Sequence, residues 1–310
     1  MSHAVSGVHI LPYSRVVGQD ELKLALELNH LVPRIGGVLM AGSRGTAKST
    51  LVRAFALMAH GELPVTLPIN ATDDRVLGGW ELDALIRGEA RPQQGLLEDA
   101  AISGMLYIDE VNLLEDHLIN VILDVVSTGV LSVQREGLAT AKHIAFGLVG
   151  TMNPEEGGLR PQLLDRFGLM VSAERLDVDA RHRLIRTVLD FEEELGKTGS
   201  DWLAAAERDD AAIRARLEEA RHRVRHIPVP DTVVRLCAQA AERLESVGQR
   251  GEIVATLAAR ALAAREGADV VEPWHLQRVL PMALRHRRPE STFDWGLEDE
   301  DRVKDLFETV

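Results

Sequence analysis

Residues 42–50 have the composition and spacing of a loop that holds a nucleoside triphosphate. They read Gly-Ser-Arg-Gly-Thr-Ala-Lys-Ser-Thr and follow an apolar run at 38–40. Apart from Ala47 at the second glycine position, the segment matches a G-x-x-x-x-G-K-[ST] loop. In such a loop, backbone N–H groups at a helix N-terminus contact the phosphates, the lysine contacts the β and γ oxygens, and the hydroxyl holds Mg²⁺. The pattern therefore predicts that Lys48 binds the triphosphate and that Ser49 binds Mg²⁺.

The predicted nucleotide contacts extend over the whole loop. They are Gly42, Ser43, Arg44, Gly45, Thr46, Ala47, Lys48, Ser49 and Thr50. The methyl group of Ala47 costs little if the backbone φ is negative and more if it is positive. The alternative interpretation is a glycine-rich turn between a strand and a helix that binds no ligand.

A pair of acids follows a second apolar run, at 105–108. A strand that ends in acids delivers them to the carboxyl edge of a parallel sheet, beside the phosphate loop. There Asp109 would orient Mg²⁺ through water, and Glu110 would act as the general base that polarises the attacking water. The alternative is that these acids only cap a helix.

Two later residues, Asn153 and Arg166, are candidates for sensing or stabilising the γ-phosphate. Asn153 follows the strand-like run 146–151, where a polar side chain would lie beside the γ-phosphate; the alternative is an Asn-Pro turn signal. Arg166 precedes the strand-like run 169–172 and is predicted to reach across a subunit boundary as an arginine finger. The alternative is an ion pair with Asp165 or another acid, and Arg160 is a second, weaker candidate for the finger.

Strand-like and helix-like patterns alternate through the first half of the chain, which is typical of an open parallel sheet. The five predicted strands are 38–40, 65–69, 105–108, 146–151 and 169–172. The alternation at 129–137, closed by glycines, predicts a hairpin insertion.

The second half of the chain is predicted to be helical. An apolar stripe that includes Leu217 and Ala220 predicts a face that docks on a neighbouring helix. We therefore predict an α/β nucleotide-binding domain over 1–175, a long helical linker over 176–230, a helical lid domain over 231–288 and an acidic tail over 289–310. The acids at 298–301 are expected to be solvated.

The composition excludes several classes of protein. The 310 residues are 45% apolar and 27% charged, and the formal net charge of −13 disfavours a surface that binds nucleic acid or anionic membrane. The single cysteine, Cys237, lies in an apolar run and is expected to be buried and not catalytic. There is no apolar run of about 18 residues and no signal-peptide pattern, so we expect a cytoplasmic protein without a membrane segment.

Several segments together resemble the ATPase (I) subunit of magnesium chelatase, a family of AAA+ ATPases. The segments are 17–20, 33–38, 72–76, 95–97, 107–114, 133–137 and the long block Asn-Pro-Glu-Glu-Gly-Gly-Leu-Arg-Pro-Gln-Leu-Leu-Asp-Arg-Phe-Gly at 153–168. The resemblance covers about residues 10–288. It implies an AAA+ P-loop domain with a five-stranded parallel sheet, helices on both faces and a C-terminal helical lid. It also implies that Arg250 is the second sensor, which contacts the γ-phosphate from the helical domain; the residues alone equally allow a surface arginine that binds no ligand.

The family resemblance further implies an ATP- and Mg²⁺-dependent ATPase that works as a motor. Subunits would form a homo-oligomeric ring, expected to be a hexamer, with Arg166 acting on the ATP of a neighbour. An integrin-like AAA+ partner would relay the motion to a large porphyrin-binding subunit, which inserts Mg²⁺ into protoporphyrin IX for chlorophyll synthesis. The chain departs from the family at Ala47, where glycine is usual, and after Arg288.

Other functions remain open from the sequence. One is the ATPase of a cobalt or other metal chelatase, or a MoxR-like metal-insertion chaperone. Another is a DNA-translocating ring of the helicase kind, which the basic cluster 285–288 and Ala47 would favour but the net charge would not. A third is a non-catalytic module that holds nucleotide as a switch, which would not need Glu110.

Overall fold

The computed structural model describes residues 4–5, 8–43, 45–80, 87, 92–135, 138–173, 175–288 and 295–308. The strands are β1 (Ala4–Val5), β2 (Val8–His9), β3 (Val38–Ala41), β4 (Val65–Leu67), β5 (Gly79–Trp80), β6 (Pro92–Gln93), β7 (Met105–Ile108), β8 (Val130–Arg135), β9 (Leu138–His143), β10 (Gly147–Met152) and β11 (Leu169–Ser172). The α-helices are α1 (Asp20–Leu31), α2 (Lys48–His60), α3 (Asp73–Leu77), α4 (Leu96–Ser103), α5 (Asp116–Thr128), α6 (Pro161–Leu164), α7 (Val178–Leu195), α8 (Asp201–Arg223), α9 (Asp231–Arg243), α10 (Arg250–Arg265), α11 (Pro273–Leu284) and α12 (Leu297–Glu308).

A five-stranded parallel sheet forms the centre of the first half of the chain, in the order β11-β3-β10-β7-β4. All four residues of strand β3 are buried, which explains why its sequence is apolar at every position. Val38 and Met40 belong to the apolar core on one face, and Leu39 and Ala41 belong to the core on the other face. A parallel sheet that is covered on both faces requires this continuous apolar pattern. The predicted fold class is therefore confirmed.

The strand register brings three loops to one edge of the sheet. Met152 and Ser172 both lie opposite Ala41, so β3, β10 and β11 end at the same level. The loop after β3 is the predicted phosphate loop, and the predicted sensor follows β10. At the opposite, N-terminal end of these strands, the segment that precedes β11 pairs with the segment that precedes β3. There Gly168 N donates to Gly36 O at 3.1 Å.

The predicted hairpin is present as β8 and β9, which pair from Val130 and His143 to Arg135 and Leu138. The turn residues 136–137 lie outside the described part of the chain.

The helical second half packs against the sheet domain through α8. The stripe residues Leu217 and Ala220 of α8 are buried, and α8 contacts α1 and α10. The predicted docking face is therefore confirmed. Cys237, on α9, is buried as expected. No helix among the described residues combines the length and the apolar composition that would span a bilayer.

The C-terminal acidic segment differs from the prediction. Residues 298–301 belong to the start of α12, which packs on α9 and α11 through its buried residue Val303. Asp299 is buried, accepts a hydrogen bond from Gly296 N at 3.0 Å and pairs with Arg288. Acids in the first turn of a helix are stabilised by its macrodipole, and an apolar face then docks the helix. Glu298, Glu300 and Asp301 are exposed, as expected, whereas the expectation is wrong for Asp299 and for a free tail, because 297–308 is a docked helix.

The basic cluster 285–288 also differs from its interpretation as a nucleic-acid contact. Arg285, His286 and Arg287 are all buried between α11 and the sheet domain. Arg285 pairs with Glu21 of α1, and the Nε2 atom of His286 lies 3.2 Å from Phe167 O. These side chains join the two halves of the protein and are not presented to a DNA backbone.

Candidate nucleotide-binding site

The loop between β3 and α2 has the backbone conformation of a phosphate cradle. Gly42 and Gly45 have φ angles of 155° and 80°. A Cβ atom on Gly42 would lie 2.8 Å from Cβ of Ala173, so only glycine fits there. Helix α2 begins at Lys48, and its N-terminal N–H groups therefore face the loop. Arg44 lies outside the described residues.

One cavity of about 360 Å³ brings most of the predicted site residues together. It is lined by residues 45–50 of the loop, by Asp109 and Glu110 after β7, and by Thr151, Met152 and Asn153 at the end of β10. The strand order places β3, β10 and β7 side by side, which is why these distant segments of sequence meet.

Lys48 already points into the loop. Its Nζ donates hydrogen bonds to the carbonyl oxygens of Gly42 and Ser43, the latter at 2.9 Å. Burial lowers the pKa of Lys48, while Asp109 and Glu110 raise it. Burial is the larger effect and the pKa of Lys48 is lowered overall, while the two carboxylates oppose this by favouring the charged form that binds phosphate oxygens.

A hydrogen-bonded chain links the two predicted metal ligands. Tyr107 OH lies 2.8 Å from Oγ of Ser49 and donates to Oδ1 of Asp109 at 2.9 Å. Oγ1 of Thr151 donates to the same Asp109 oxygen at 2.7 Å and accepts from the backbone N–H of Glu110 at 3.0 Å. Burial is the main cause that raises the pKa of Tyr107 to about 12, so the phenol stays protonated.

This arrangement fits Mg²⁺ bound together with ATP. Mg²⁺ takes oxygen ligands and is usually held by one or two protein groups, with phosphates and waters completing the octahedron. Ser49 and Asp109 supply a hydroxyl and a carboxylate that are held to a common hydroxyl group. The sequence analysis missed Tyr107 and Thr151. The strand period of two was the available signal for Tyr107, because it places Tyr107 and Asp109 on the same side of β7.

Glu110 and Asn153 are held in special conformations at this cavity. Glu110 has a φ of 55°, a sparsely populated value for a residue with a side chain, and such strain is often found at functional sites. Oδ1 of Asn153 accepts from Glu155 N at 3.3 Å, so the side chain caps the turn at 154–156 while it also lines the cavity. Asn153 therefore caps a turn, as the alternative interpretation predicted, and its side chain also lies beside the phosphate loop.

A second, larger cavity of about 920 Å³ adjoins the loop at Gly45, Thr46 and Ala47. Its walls are mostly apolar and come from the segment before α1 and from α7, including Val16 and Phe191. The sequence analysis did not identify it, because its walls are far apart in sequence.

The segment that forms one wall of the large cavity is anchored by α8. The buried carboxylate of Asp210 accepts from Tyr13 N at 3.1 Å and from Ser14 N at 2.7 Å. Helix α8 therefore fixes the position of the chain immediately before Val16.

The two predicted arginines lie at the other edge of the sheet. Arg166 donates to Asn120 O at 3.2 Å and pairs with Asp124 at 3.0 Å. A Cβ atom on Gly36 would lie 3.4 Å from Nη2 of Arg250 and 3.5 Å from Arg166 O, so both arginines lie next to Gly36. The four residues of β3, which span about 13 Å at about 3.3 Å per residue, lie between this position and Gly42.

The arginines are therefore close to each other and far from the phosphate cavity of their own chain. The predicted ion-pair alternative for Arg166 is present, but the partner Asp124 is 63% exposed, and exposed pairs contribute little stability. Burial lowers the pKa of Arg250, Asp165 raises it and Arg166 lowers it. Asp124 also raises it, so carboxylates of the same chain offset part of the repulsion between the two cations.

Comparisons with known proteins show the family to which the chain belongs. A model of the AAA domain (dynein-related subfamily) matches residues 37–167, and a model of the AAA lid domain matches residues 234–306. The magnesium-chelatase 38 kDa subunit of Cereibacter sphaeroides is 41% identical, over 91% of this chain and 93% of that protein. The corresponding subunit of Rhodobacter capsulatus is 40% identical, over 92% of this chain and 90% of that protein.

A solved structure is similar over almost the whole chain. It is a cryo-EM-based structure of the complex between subunits BchI and BchD of magnesium chelatase, at 36% identity and a TM-score of 0.50. The similarity covers 95% of this chain and 99% of that one. The chain belongs to the magnesium-chelatase ATPase (I) subunit family of AAA+ ATPases.

Proposed function

We propose that this chain is the ATPase motor of a magnesium-chelatase-type complex and that it hydrolyses ATP at the interfaces between its own subunits. The proposal rests mainly on one observation, which is that the predicted site residues form two groups at opposite ends of the parallel strands. Lys48, Ser49, Asp109 and Glu110 line one cavity, whereas the backbone of Arg166 lies beside Gly36, at the opposite end of β3. A complete site then requires two copies of the chain.

The cavities suit the parts of ATP. The loop residues and Lys48 bind the phosphates, and the large apolar cavity next to Gly45 accepts the adenine and ribose. Ser49 and Asp109 hold Mg²⁺, which when bound neutralises charge on the phosphates. Glu110 polarises the attacking water as general base, and the amide of Asn153 orients toward the γ-phosphate.

The arginines complete the site of a neighbouring subunit. Arg166 stabilises charge that develops on the γ-phosphate of the neighbour, as an arginine finger does. Arg250, which lies beside it, contacts the same nucleotide from the helical domain. A head-to-tail interface of this kind closes into a ring, for which we expect a hexamer.

The family relationship supports the coupling of this motor to metal insertion. The proposed partners are an integrin-like AAA+ subunit and a large porphyrin-binding subunit, and the proposed reaction is insertion of Mg²⁺ into protoporphyrin IX. Mg²⁺ has two roles in this proposal, since it is the metal that is inserted and also the ion that binds together with ATP. Removal of its water shell is energetically costly. We expect the complex to act in the cytoplasm, without a membrane or nucleic-acid partner.

The first test measures ATP turnover against protein concentration for the wild type and three variants. Lys48→Ala is expected to abolish nucleotide binding. Glu110→Gln is expected to bind ATP but to lose about 10²–10⁴-fold in kcat. Arg166→Ala is expected to lose about 10³-fold or more in kcat while it still binds ATP.

The shared site is tested by mixing two inactive variants. Glu110→Gln retains its arginines and Arg166→Ala retains its general base, so a mixed ring contains some complete sites. In a random equimolar mixture about a quarter of the interfaces are complete, and turnover should recover to a comparable fraction of the wild type. No recovery, or normal turnover by Glu110→Gln alone, would overturn the proposal.

The second test identifies the complex. The protein is combined with the two partner subunits of the Cereibacter sphaeroides chelatase, ATP, protoporphyrin IX and either Mg²⁺ or Co²⁺, and the metalloporphyrin is followed by its absorption and fluorescence. ATP-dependent formation of the magnesium product supports the proposal. Insertion of cobalt only, or ATPase stimulation by DNA in place of porphyrin chemistry, would contradict it.

A further inference from the structure

One buried guanidinium contacts the loop that carries the arginine finger. The side chain of Arg287, at the end of α11, is 0% exposed. Its Nε donates to Oδ1 of Asp165 at 3.0 Å, and its Nη2 donates to the carbonyl oxygens of Asp165 at 2.7 Å and Phe167 at 2.6 Å. Its Nη1 donates to Gly168 O at 3.1 Å and also to Ala283 O within α11.

These contacts fix the backbone on both sides of Arg166. The carbonyl groups of Asp165 and Phe167 flank Arg166, and both accept from the same nitrogen atom, Nη2. His286 adds a further contact to Phe167 O at 3.2 Å. A planar group with five donors in a fixed fork can impose one geometry on such a loop, which a flexible ammonium cannot.

The main chain of the same residue holds the loop that carries the second arginine. Val247 N donates to Arg287 O at 2.8 Å. This loop, between α9 and α10, contains two residues with positive φ, Glu245 at 53° and Gly248 at 76°, and it leads directly into Arg250. Glu245 N and Ser246 N bond back to α9, and the contact from Val247 to Arg287 O then fixes the loop relative to the turn after α11.

We propose that Arg287 is a positioning residue that holds the loops of Arg166 and Arg250 in one arrangement, so that both arginines are presented to a neighbouring subunit as a single unit. The inference rests on the proposed function, because the two arginines are proposed to act on the ATP site that two subunits share. It follows that a movement of the helical domain in one subunit moves the arginines that act on the next subunit. Arg287 does not itself touch the nucleotide.

The competing explanation is that Arg287 only fastens the helical domain to the sheet domain. Arg285 offers a matched comparison, since it is a buried arginine two residues earlier. It contacts Glu21 of α1 and Oγ of Ser172, the latter at 3.3 Å, and both of these partners lie outside the loop 165–168. If fastening is the only role, lysine at either position should have the same effect.

The test uses Arg287→Lys in the full-length protein, with Arg285→Lys as its control. Displacement of a catalytic group by about 1 Å can cost about 100-fold, so we expect a fall of that order in kcat for Arg287→Lys. Its KM for Mg-ATP should stay within about threefold of the wild type, because its own phosphate cavity is not altered. Arg285→Lys should keep its kcat within about threefold.

Mixing experiments separate a positioning role from general damage. Arg287→Lys mixed with Glu110→Gln should regain turnover, because the second variant supplies intact arginines and the first supplies an intact base. Arg287→Lys mixed with Arg166→Ala should regain nothing, because both lack the same half of the site. A protein that is merely destabilised would not show this selectivity.

A second variant covers the case in which Arg287→Lys does not fold. Val247→Pro removes the N–H that bonds to Arg287 O at an exposed position and leaves the buried guanidinium in place. It should also be rescued by Glu110→Gln and not by Arg250→Ala.

Three results would overturn the inference. They are wild-type kcat for Arg287→Lys, an equal loss for Arg285→Lys, and failure of Glu110→Gln to rescue Arg287→Lys although it rescues Arg166→Ala. If Glu110→Gln and Arg166→Ala do not rescue each other, the shared site of the proposed function is itself wrong, and this inference falls with it.

Discussion

The backbone conformation of Ala47 predicts that replacement of this alanine by glycine stabilises the protein, which is the opposite of the usual effect of this substitution. Ala47 occupies the second glycine position of the phosphate loop and has φ 60° and ψ 19°, in the left-handed region. Replacement of alanine by glycine normally destabilises a protein, since glycine has more conformational freedom to lose on folding. At Ala47 we expect Ala47→Gly to be stabilising.

The magnitude follows from two opposing terms. The left-handed conformation costs an L-residue about 1–2 kcal/mol, and glycine avoids this cost. Glycine in turn loses about 0.5–1 kcal/mol through its larger backbone entropy in the unfolded chain. The net gain is about 0.5–1 kcal/mol, which corresponds to a rise in Tm of about 1 °C for a protein of this size.

The assay is thermal unfolding without nucleotide, with Ala212→Gly as the matched control. Ala212 is exposed in the middle of α8, so the same substitution should there cost about 1 kcal/mol and lower Tm. Opposite shifts of Tm in the two variants support the analysis. A fall in Tm for Ala47→Gly would refute the idea that this loop stores backbone strain.

Three further predictions concern other parts of the molecule. Tyr107→Phe removes the hydroxyl between the two candidate metal ligands; the Mg²⁺ concentration for half-maximal turnover should rise about tenfold, and an unchanged Mg²⁺ titration would contradict the role of the hydroxyl. Val303→Ala, at a buried position of α12, should lower the free energy of unfolding by about 1.5 kcal/mol, whereas Val178→Ala, at an 81% exposed position, should change it by less than about 0.5 kcal/mol in chemical denaturation. Burial lowers the pKa of His30 to about 3, with help from His60 and Arg221, so the native state keeps this ring neutral while the unfolded state binds a proton below pH 6.5. Stability is then lost as pH falls from 6.5 toward 3, by up to about 1.4 kcal/mol per pH unit, and His30→Gln should flatten this loss in urea titrations at pH 7 and pH 5.

The sequence by itself predicted the strands of the central sheet and the edge of the sheet at which the candidate site lies. Continuous apolar runs predicted the buried parallel strands, because a strand covered on both faces must be apolar at every position. The loop around Lys48 and the acids after β7 were found because phosphate binding requires fixed residue types at fixed local spacing. Their meeting in one cavity followed from the rule that parallel strands end at a common edge. The division into domains at 175, 230 and 288 stays a prediction.

The tertiary structure alone decided which distant residues meet. Tyr107 and Thr151 contact Asp109 because of the strand register, and the large apolar cavity arises where α7 passes the segment before α1. The burial of Arg287 and the docking of α12 depend on packing between helices that no local pattern of charges reveals. Arg166 and Arg250, 84 residues apart in the numbering, lie together at the edge opposite their own phosphate loop. Local periodicity specifies an element and its faces, whereas the partner of each face is chosen by the sum of contacts over the whole chain.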